Sequence, residues 1–154
     1  MSLADLYRRD LTTLAREIEA FPSDEMLWQT APGVTNSAGN LILHLEGNLR
    51  EYIGRQLGGI EYVRNRPLEF SARGVGKREL AERVTNLIDV IPPVIRSLSA
   101  EQMESPFPEV VLEKALSTQA FLIHLLAHLN WHMGQLDYLR RVLTGEGAIQ
   151  RAKL

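Results

Sequence analysis

Three of the four histidines in this 154-residue chain lie within residues 124–135, which have the sequence HLLAHLNWHMGQ. They are His124, His128 and His132, each four residues from the next. Residues four positions apart on an α-helix lie one turn apart on the same face, so two such imidazoles can share one metal ion. The spacing therefore predicts a metal-binding helix, with His128 and His132 aimed into the protein.

A third ligand has to come from elsewhere in the chain. His44 is the only other histidine, and it lies on a second predicted helix, one turn before Asn48. If the two helices face each other, His44 completes a three-histidine site with His128 and His132. Three imidazole ligands leave a coordination position open for water or substrate, as in catalytic zinc sites.

The spacing alone also allows a second interpretation. A histidine on the apolar face of a helix is commonly a core residue with a single hydrogen bond and no metal. Two histidines on one face are costly to bury without partners, which favours the metal. His124 lies toward the edge of the face and is expected at the rim of the site, although it replaces His44 as a ligand if the helices pair differently.

Side-chain oxygens near the ligands are candidates for orienting the imidazoles. Asn48 and Gln135 each lie about one turn from a proposed ligand, and metal-bound histidines usually donate their other N–H to such an oxygen. His124 is a further candidate for this supporting role. For the two amides, a hydrogen bond to backbone or water is the alternative.

Two arginines in the segment RNRPLEF are candidates for binding a substrate carboxylate. Arg64 and Arg66 lie in a long connection that could cover the site. A surface ion pair with Glu69 or Glu61 is the simpler interpretation of the same residues.

Four amphipathic segments have to position these side chains. Their predicted helices cover residues 3–21, 38–57, 77–98 and 117–143. Pro92 and Pro93 lie inside the third segment, where we expect them to kink or divide the helix. Residues 58–76 are predicted as a long connection with short extended pieces, and residues 99–110 as a loop. The sequence thus predicts an all-α four-helix bundle in one domain, residues 1–154.

The composition excludes several classes of function. The chain has no cysteine, which rules out disulfides, thiolate ligands and a cysteine nucleophile. A net charge of −2 gives no general attraction to nucleic acid or to an anionic membrane surface. The apolar runs are too short to span a membrane, and the start MSLADLYRRD lacks the apolar core of a signal peptide. We therefore expect a cytoplasmic protein with no nucleic-acid or membrane partner.

Several segments together resemble the DinB/YfiT-like superfamily. HLNWHMGQLDYLRR is similar to its fourth-helix signature, in which an HxxxH pair is followed by Gly-Gln, here His128, His132, Gly134 and Gln135. NSAGNLILHLEGNLREYI resembles its second helix, with His44 at the histidine position. RNRPLEF is similar to the segment before the third helix in many members. The resemblance covers nearly the whole chain, with the parts in the same order and spacing.

This resemblance implies a four-helix bundle in which His44, His128 and His132 hold a divalent metal ion. Zinc and nickel are the expected metals, with iron, manganese and copper as alternatives, because imidazole ligands suit several of them. Characterised members include thiol transferases that use bacillithiol or mycothiol and a mycothiol-dependent maleylpyruvate isomerase. Members often form dimers, so the resemblance also implies a small-molecule substrate, a low-molecular-weight thiol and a homodimer.

Three functions are consistent with such a site. The first is transfer of a low-molecular-weight thiol that the metal deprotonates, since the protein has no thiol of its own. The second is hydrolysis by metal-bound hydroxide, which is less favoured because Glu46 and Glu51 are expected on the solvated surface and no other carboxylate is an evident general base. The third is a bundle that binds a metal or small ligand without catalysis.

Overall fold

A computed structural model describes residues 1–110 and 113–153 of the chain. These residues form helices and no named strand, which confirms the all-α bundle. The six α-helices are α1 (Leu3–Glu19), α2 (Ala38–Leu49), α3 (Arg66–Ser71), α4 (Lys77–Ser97), α5 (Ala100–Glu104) and α6 (Thr118–Thr144). A 3-10 turn, Glu25–Trp28, precedes α2, and a π-helical stretch, Arg50–Arg55, continues it. The four long helices correspond to the four predicted segments.

The ends of the long helices follow the capping residues of the sequence. At the start of α1 the Ser2 hydroxyl accepts from the Asp5 N–H, and the Asp5 carboxylate accepts from the Ser2 N–H. The Ser37 hydroxyl accepts from the Asn40 N–H at the start of α2, and the Ser117 hydroxyl accepts from the Ala120 N–H at the start of α6. Gly145 ends α6 with φ +73°, a left-handed conformation that costs glycine little.

Helix α2 lies at the centre of the bundle. Every one of its residues is buried, because α3, α4 and α6 all pack against it. Three polar side chains, Asn40, His44 and Asn48, follow one another at intervals of four residues and are buried with the rest. Buried polar groups need partners, so this polar row has to face other polar groups inside the protein.

Helix α4 runs without a break through Pro92 and Pro93, so the helix is not divided there. Prolines remove a backbone donor and crowd the preceding turn. Here Leu87, Ile91 and Ile95 continue one buried face on both sides of the prolines, and α4 packs along α1. This packing keeps the segment in one helix.

The two connections that were predicted as loops contain short helices instead. Residues 58–76 hold α3 rather than extended pieces, and residues 99–110 hold α5. Asn65 caps α3, and the amide of Asn40 on α2 donates to the carbonyls of Glu69 and Ala72 at 3.0 and 3.1 Å. These bonds fix α3 against α2.

Buried polar groups of α1 find their partners more than 100 residues later in the chain. The contacts are Tyr7 Oη to Leu122 O (2.7 Å), Arg151 to Asp10 (2.6 Å), Arg140 to Glu17 (2.7 Å) and Ala152 N to Thr13 Oγ1 (3.0 Å). The segment after α6 therefore returns across α1. Among the described helices, none combines the length and apolar composition that crossing a membrane requires.

Candidate metal centre

Three histidines converge between α2 and α6. His128 Nε2 lies 3.2 Å from His44 Nε2 and 3.1 Å from His132 Nε2. One ring nitrogen of each residue lies within 4.8 Å of the other two. His44 is buried, whereas His128 and His132 are partly exposed. The structure thus brings together the three residues that the sequence predicts as a ligand set.

Hydrogen bonds at the far side of two rings determine which nitrogens are free. His44 Nδ1 lies 2.9 Å from Glu69 Oε2, and His132 Nδ1 lies 2.8 Å from Gln135 Oε1. An ionised carboxylate and an amide oxygen only accept hydrogen bonds, so we assign the ring proton to Nδ1 in both histidines. Both Nε2 atoms then carry a lone pair that points toward His128, which is the form that binds a metal.

Glu69 on α3 is the residue that orients His44. Arg64 holds its carboxylate with two hydrogen bonds, from Nε to Oε1 (2.7 Å) and from a terminal nitrogen to Oε2 (3.0 Å). A Cβ at Gly47, one turn after His44, would overlap this carboxylate and lie 2.9 Å from Glu69 Cδ. The absence of a side chain at Gly47 therefore leaves the space that the carboxylate of Glu69 occupies. Arg64 and Glu69 therefore form the ion pair that the sequence suggested, but the pair lies largely buried beside His44 and not on the surface.

Burial controls the protonation of the cluster. Desolvation, followed by the neighbouring charges of His132 and His44, lowers the pKa of His128 to about 4. Burial also lowers the pKa of His132, against the opposing effect of the hydrogen bond that its ring donates to Gln135. Burial alone raises the pKa of Glu69, but hydrogen bonds from His44 and Arg64 outweigh it and bring that pKa below its ordinary value. At neutral pH His128 is therefore neutral, and the Glu69 that contacts His44 is ionised.

The three supporting residues predicted from the sequence have different outcomes. Gln135 Oε1 accepts a hydrogen bond from His132 Nδ1 at 2.8 Å. His124 stacks on Phe121 at 5.9 Å between ring centroids and lies outside the cluster. Asn48 Oδ1 is buried without a hydrogen-bond partner among the described residues, as is His128 Nδ1. Glu69, which the sequence suggested only as an ion-pair partner, supplies the contact expected of Asn48.

The histidines of α6 lie at the edge of its buried face rather than in its middle. Leu129, Met133 and Leu136 are buried, whereas His128 and His132 are partly exposed. With Phe121, Leu125 and Leu139, these residues form a wide buried face whose centre is displaced from the histidines. One side of the cluster is therefore accessible from solvent.

Two of the three nitrogen–nitrogen separations, those made by His128, fit a shared divalent ion. Two nitrogens bound at about 2.1 Å to one ion are about 3.0 Å apart at a right-angled arrangement and about 3.4 Å apart at a tetrahedral one. The separations of 3.1 and 3.2 Å lie between these values. Among the described residues no further histidine or carboxylate joins these three imidazoles, and three protein ligands is the number found in open catalytic zinc sites.

An all-α bundle whose second and last long helices bring three histidines together is the arrangement that the resemblance to DinB-like proteins predicts. The chain belongs to the DUF1572 family, described as proteins of unknown function, whose family model matches residues 3–150. No curated protein matches this chain.

Two solved structures share the fold. A DinB-like protein from Bacillus cereus ATCC 10987 is 13% identical, with a TM-score of 0.73 over 96% of this chain and 94% of that chain. A conserved protein from Enterococcus faecalis is 17% identical, with a TM-score of 0.73 over 95% of this chain and 99% of that chain. At these identities the likeness establishes the fold.

Proposed function

We propose that His44, His128 and His132 bind one divalent metal ion through their Nε2 atoms, and that the protein transfers a low-molecular-weight thiol activated at this ion. The proposal depends on the convergence of the three Nε2 atoms. In His44 and His132 the Nε2 atom keeps its lone pair, because the ring proton lies on Nδ1 and is donated to Glu69 and Gln135. His44 belongs to the buried polar row of α2, and His128 and His132 lie at the edge of the buried face of α6.

A divalent ion held by three neutral imidazoles keeps its full charge and lowers the pKa of a thiol or water at an open position. The side chains of this protein hold and orient the ligands. Glu69 fixes His44, Gln135 fixes His132, and the low pKa of His128 keeps its ring neutral. In the reaction the thiol gives its proton to solvent, its sulfur bonds to the electrophilic carbon, and the leaving group departs with its electron pair.

The carboxylates near the cluster favour thiol transfer over hydrolysis. Glu46 is paired with Arg50 and Arg83, and Glu51 is paired with Arg55. The carboxylate of Glu69 is already used by His44 and Arg64. Among the described residues, no carboxylate joins the three histidines as a general base for water. A thiol needs less help, because its ordinary pKa is already much lower than that of water.

Metal content is the direct test of the site. Wild-type protein without a tag is expected to contain about one equivalent of metal by elemental mass spectrometry, with zinc or nickel expected ahead of iron, manganese or copper. His128→Ala is expected to lose it. His124→Ala is the matched control, since it removes a histidine of the same helix that lies outside the cluster. Equal metal content in both variants, or none in wild type after incubation with zinc and nickel, would refute the site.

Thiol binding separates the proposed reaction from its alternatives. In protein loaded with Co²⁺, a thiolate bound at the metal produces a charge-transfer band in the near ultraviolet, whereas azide or imidazole binding shows only that a position is open. A thiol band followed by consumption of an electrophile supports transfer. Ester or amide hydrolysis without a thiol band supports a hydrolase, and binding without any turnover supports a carrier or sensor.

The remaining properties of the protein are also proposals. Trp131 on α6 is 70% exposed, and we propose that it contributes to a homodimer interface. Light scattering of wild type and Trp131→Glu tests this, since the variant is expected to be monomeric.

We also propose that residues 1–154 form a single domain, which would give one unfolding transition. The cytoplasm remains the predicted compartment, and cell fractionation tests it.

A further inference from the structure

A groove of about 410 Å³ is lined by two residues that lie one helical turn along the chain from cluster histidines. Its walls are residues 31–36, before α2, and the last turns of α6. Leu41, which lines it from α2, is three residues before His44. Gln135, which lines it from α6, is three residues after His132 and hydrogen-bonded to that ring. Both helices therefore lead from the cluster into the groove, at about 5 Å per turn.

The lining of this groove is uncharged and mostly apolar, with polar side chains at Thr35, Asn36, Gln135 and Tyr138. Val34, Leu41, Leu139 and Val142 supply its apolar surface, and the amide of Gln135 lies at the end nearest the cluster. None of its described lining residues carries a charge at neutral pH. A second cavity near the cluster, of about 450 Å³, is lined by Glu51, Arg55, Arg64 and Glu109 and is strongly charged by comparison. The two cavities are therefore suited to different molecules.

We infer that the uncharged groove binds the electrophilic substrate, a neutral molecule with an apolar body whose reactive end lies toward His132. This inference rests on the proposed function, because it places the second reactant beside the activated thiol. A pocket of this volume suits a small ligand, and mostly apolar walls with a few polar groups orient it. A charged substrate would lose hydration in this groove without gaining a partner of opposite charge.

Two probes test the groove in metal-loaded protein, imidazole and 4-phenylimidazole. Both coordinate an open metal position, but only the second carries an apolar body. We expect 4-phenylimidazole to bind about tenfold or more tightly than imidazole, because its ring is buried in the groove. Val142→Glu, at a residue 67% exposed on the groove wall, is expected to abolish this advantage and leave imidazole binding unchanged. Ile123→Glu, 53% exposed on α6 outside the groove, is the matched control.

The outcomes separate the groove from the metal site. An advantage that is lost in Val142→Glu and kept in Ile123→Glu supports the inference, whereas equal affinities or an advantage unchanged in Val142→Glu overturn it. If the protein binds no metal, the proposed function fails, and benzyl alcohol then tests the groove alone in amide chemical-shift mapping. Shifts at residues 31–36 and 138–142 that disappear in Val142→Glu support it, and shifts elsewhere or none overturn it. A dimer that Val142→Glu dissociates without changing the probe advantage would identify the groove as an interface between copies and also overturn it.

Discussion

Gly47→Ala is expected to weaken metal binding without touching any ligand. The added Cβ would overlap the carboxylate of Glu69 and lie 2.9 Å from its Cδ, whereas ordinary contacts begin at 3.4 Å. Glu69 therefore has to retreat by at least about 0.5 Å, and further at Oε1, which is the nearest atom, so its 2.9 Å hydrogen bond from His44 Nδ1 then exceeds a good hydrogen-bond length. Losing the partner of a ligand histidine commonly costs about 10–100-fold in metal affinity, or about 1.4–2.7 kcal/mol.

The assay is a competition titration against a chromophoric chelator, which gives the dissociation constant of the metal. Gly134→Ala is the matched control, because a Cβ there meets nothing within 4 Å and the residue also lies in a helix. Alanine stabilises a helix interior by about 0.5–1 kcal/mol relative to glycine, so urea denaturation of Gly134→Ala is expected to show a gain. An unchanged metal affinity in Gly47→Ala would refute the role assigned to Glu69.

Three further outcomes are expected. Since the pKa of His128 is about 4 in the fold and 6.5 in the unfolded chain, the unfolded chain binds the proton first, so the metal-free protein loses stability as the pH falls from 6.5 to 4. Urea midpoints measure this, and the same slope in His128→Gln would contradict it. EDTA is expected to lower the Tm of metal-loaded wild type but not of His128→Ala, since a bound ligand stabilises only the protein that holds it. Arg140→Met leaves the buried Glu17 without its ion-pair partner and is expected to lower the free energy of unfolding by about 3–5 kcal/mol. Adding Glu17→Leu is expected to restore most of this stability. A double variant as unstable as the single one would rule out this explanation.

The long helices were predictable because their patterns are local. The apolar spacing of α1 and the caps Ser2 and Gly145 act within a few residues, and the structure follows them. Helices α3 and α5 were missed because each has only one or two turns, too short for a periodic pattern. Their formation depends on tertiary contacts, such as the bonds from Asn40 to the end of α3.

The candidate site was predictable for the histidines and only partly for the groups around them. The four-residue spacing indicates that His128 and His132 share one helix face. His44 follows as the third ligand because it is the only histidine outside residues 124–132. Glu69 lies 25 residues from His44 and its burial depends on α3, so no local pattern indicates its contact. Its signal in the sequence was Gly47, a residue without a side chain inside a fully buried helix.

The contacts of α1 with the far end of the chain affect the order in which the protein can fold during synthesis. Helix α1 is made first, but the partners of Tyr7, Asp10 and Glu17 are Leu122, Arg151 and Arg140. Until those residues have left the ribosome, the polar groups of α1 have only water or local neighbours to bond. The apolar face of the first helix can pack against α4 before then, but its polar contacts have to wait for the last segment, so a nascent chain stalled before residue 122 would hold α1 and α4 together without these bonds.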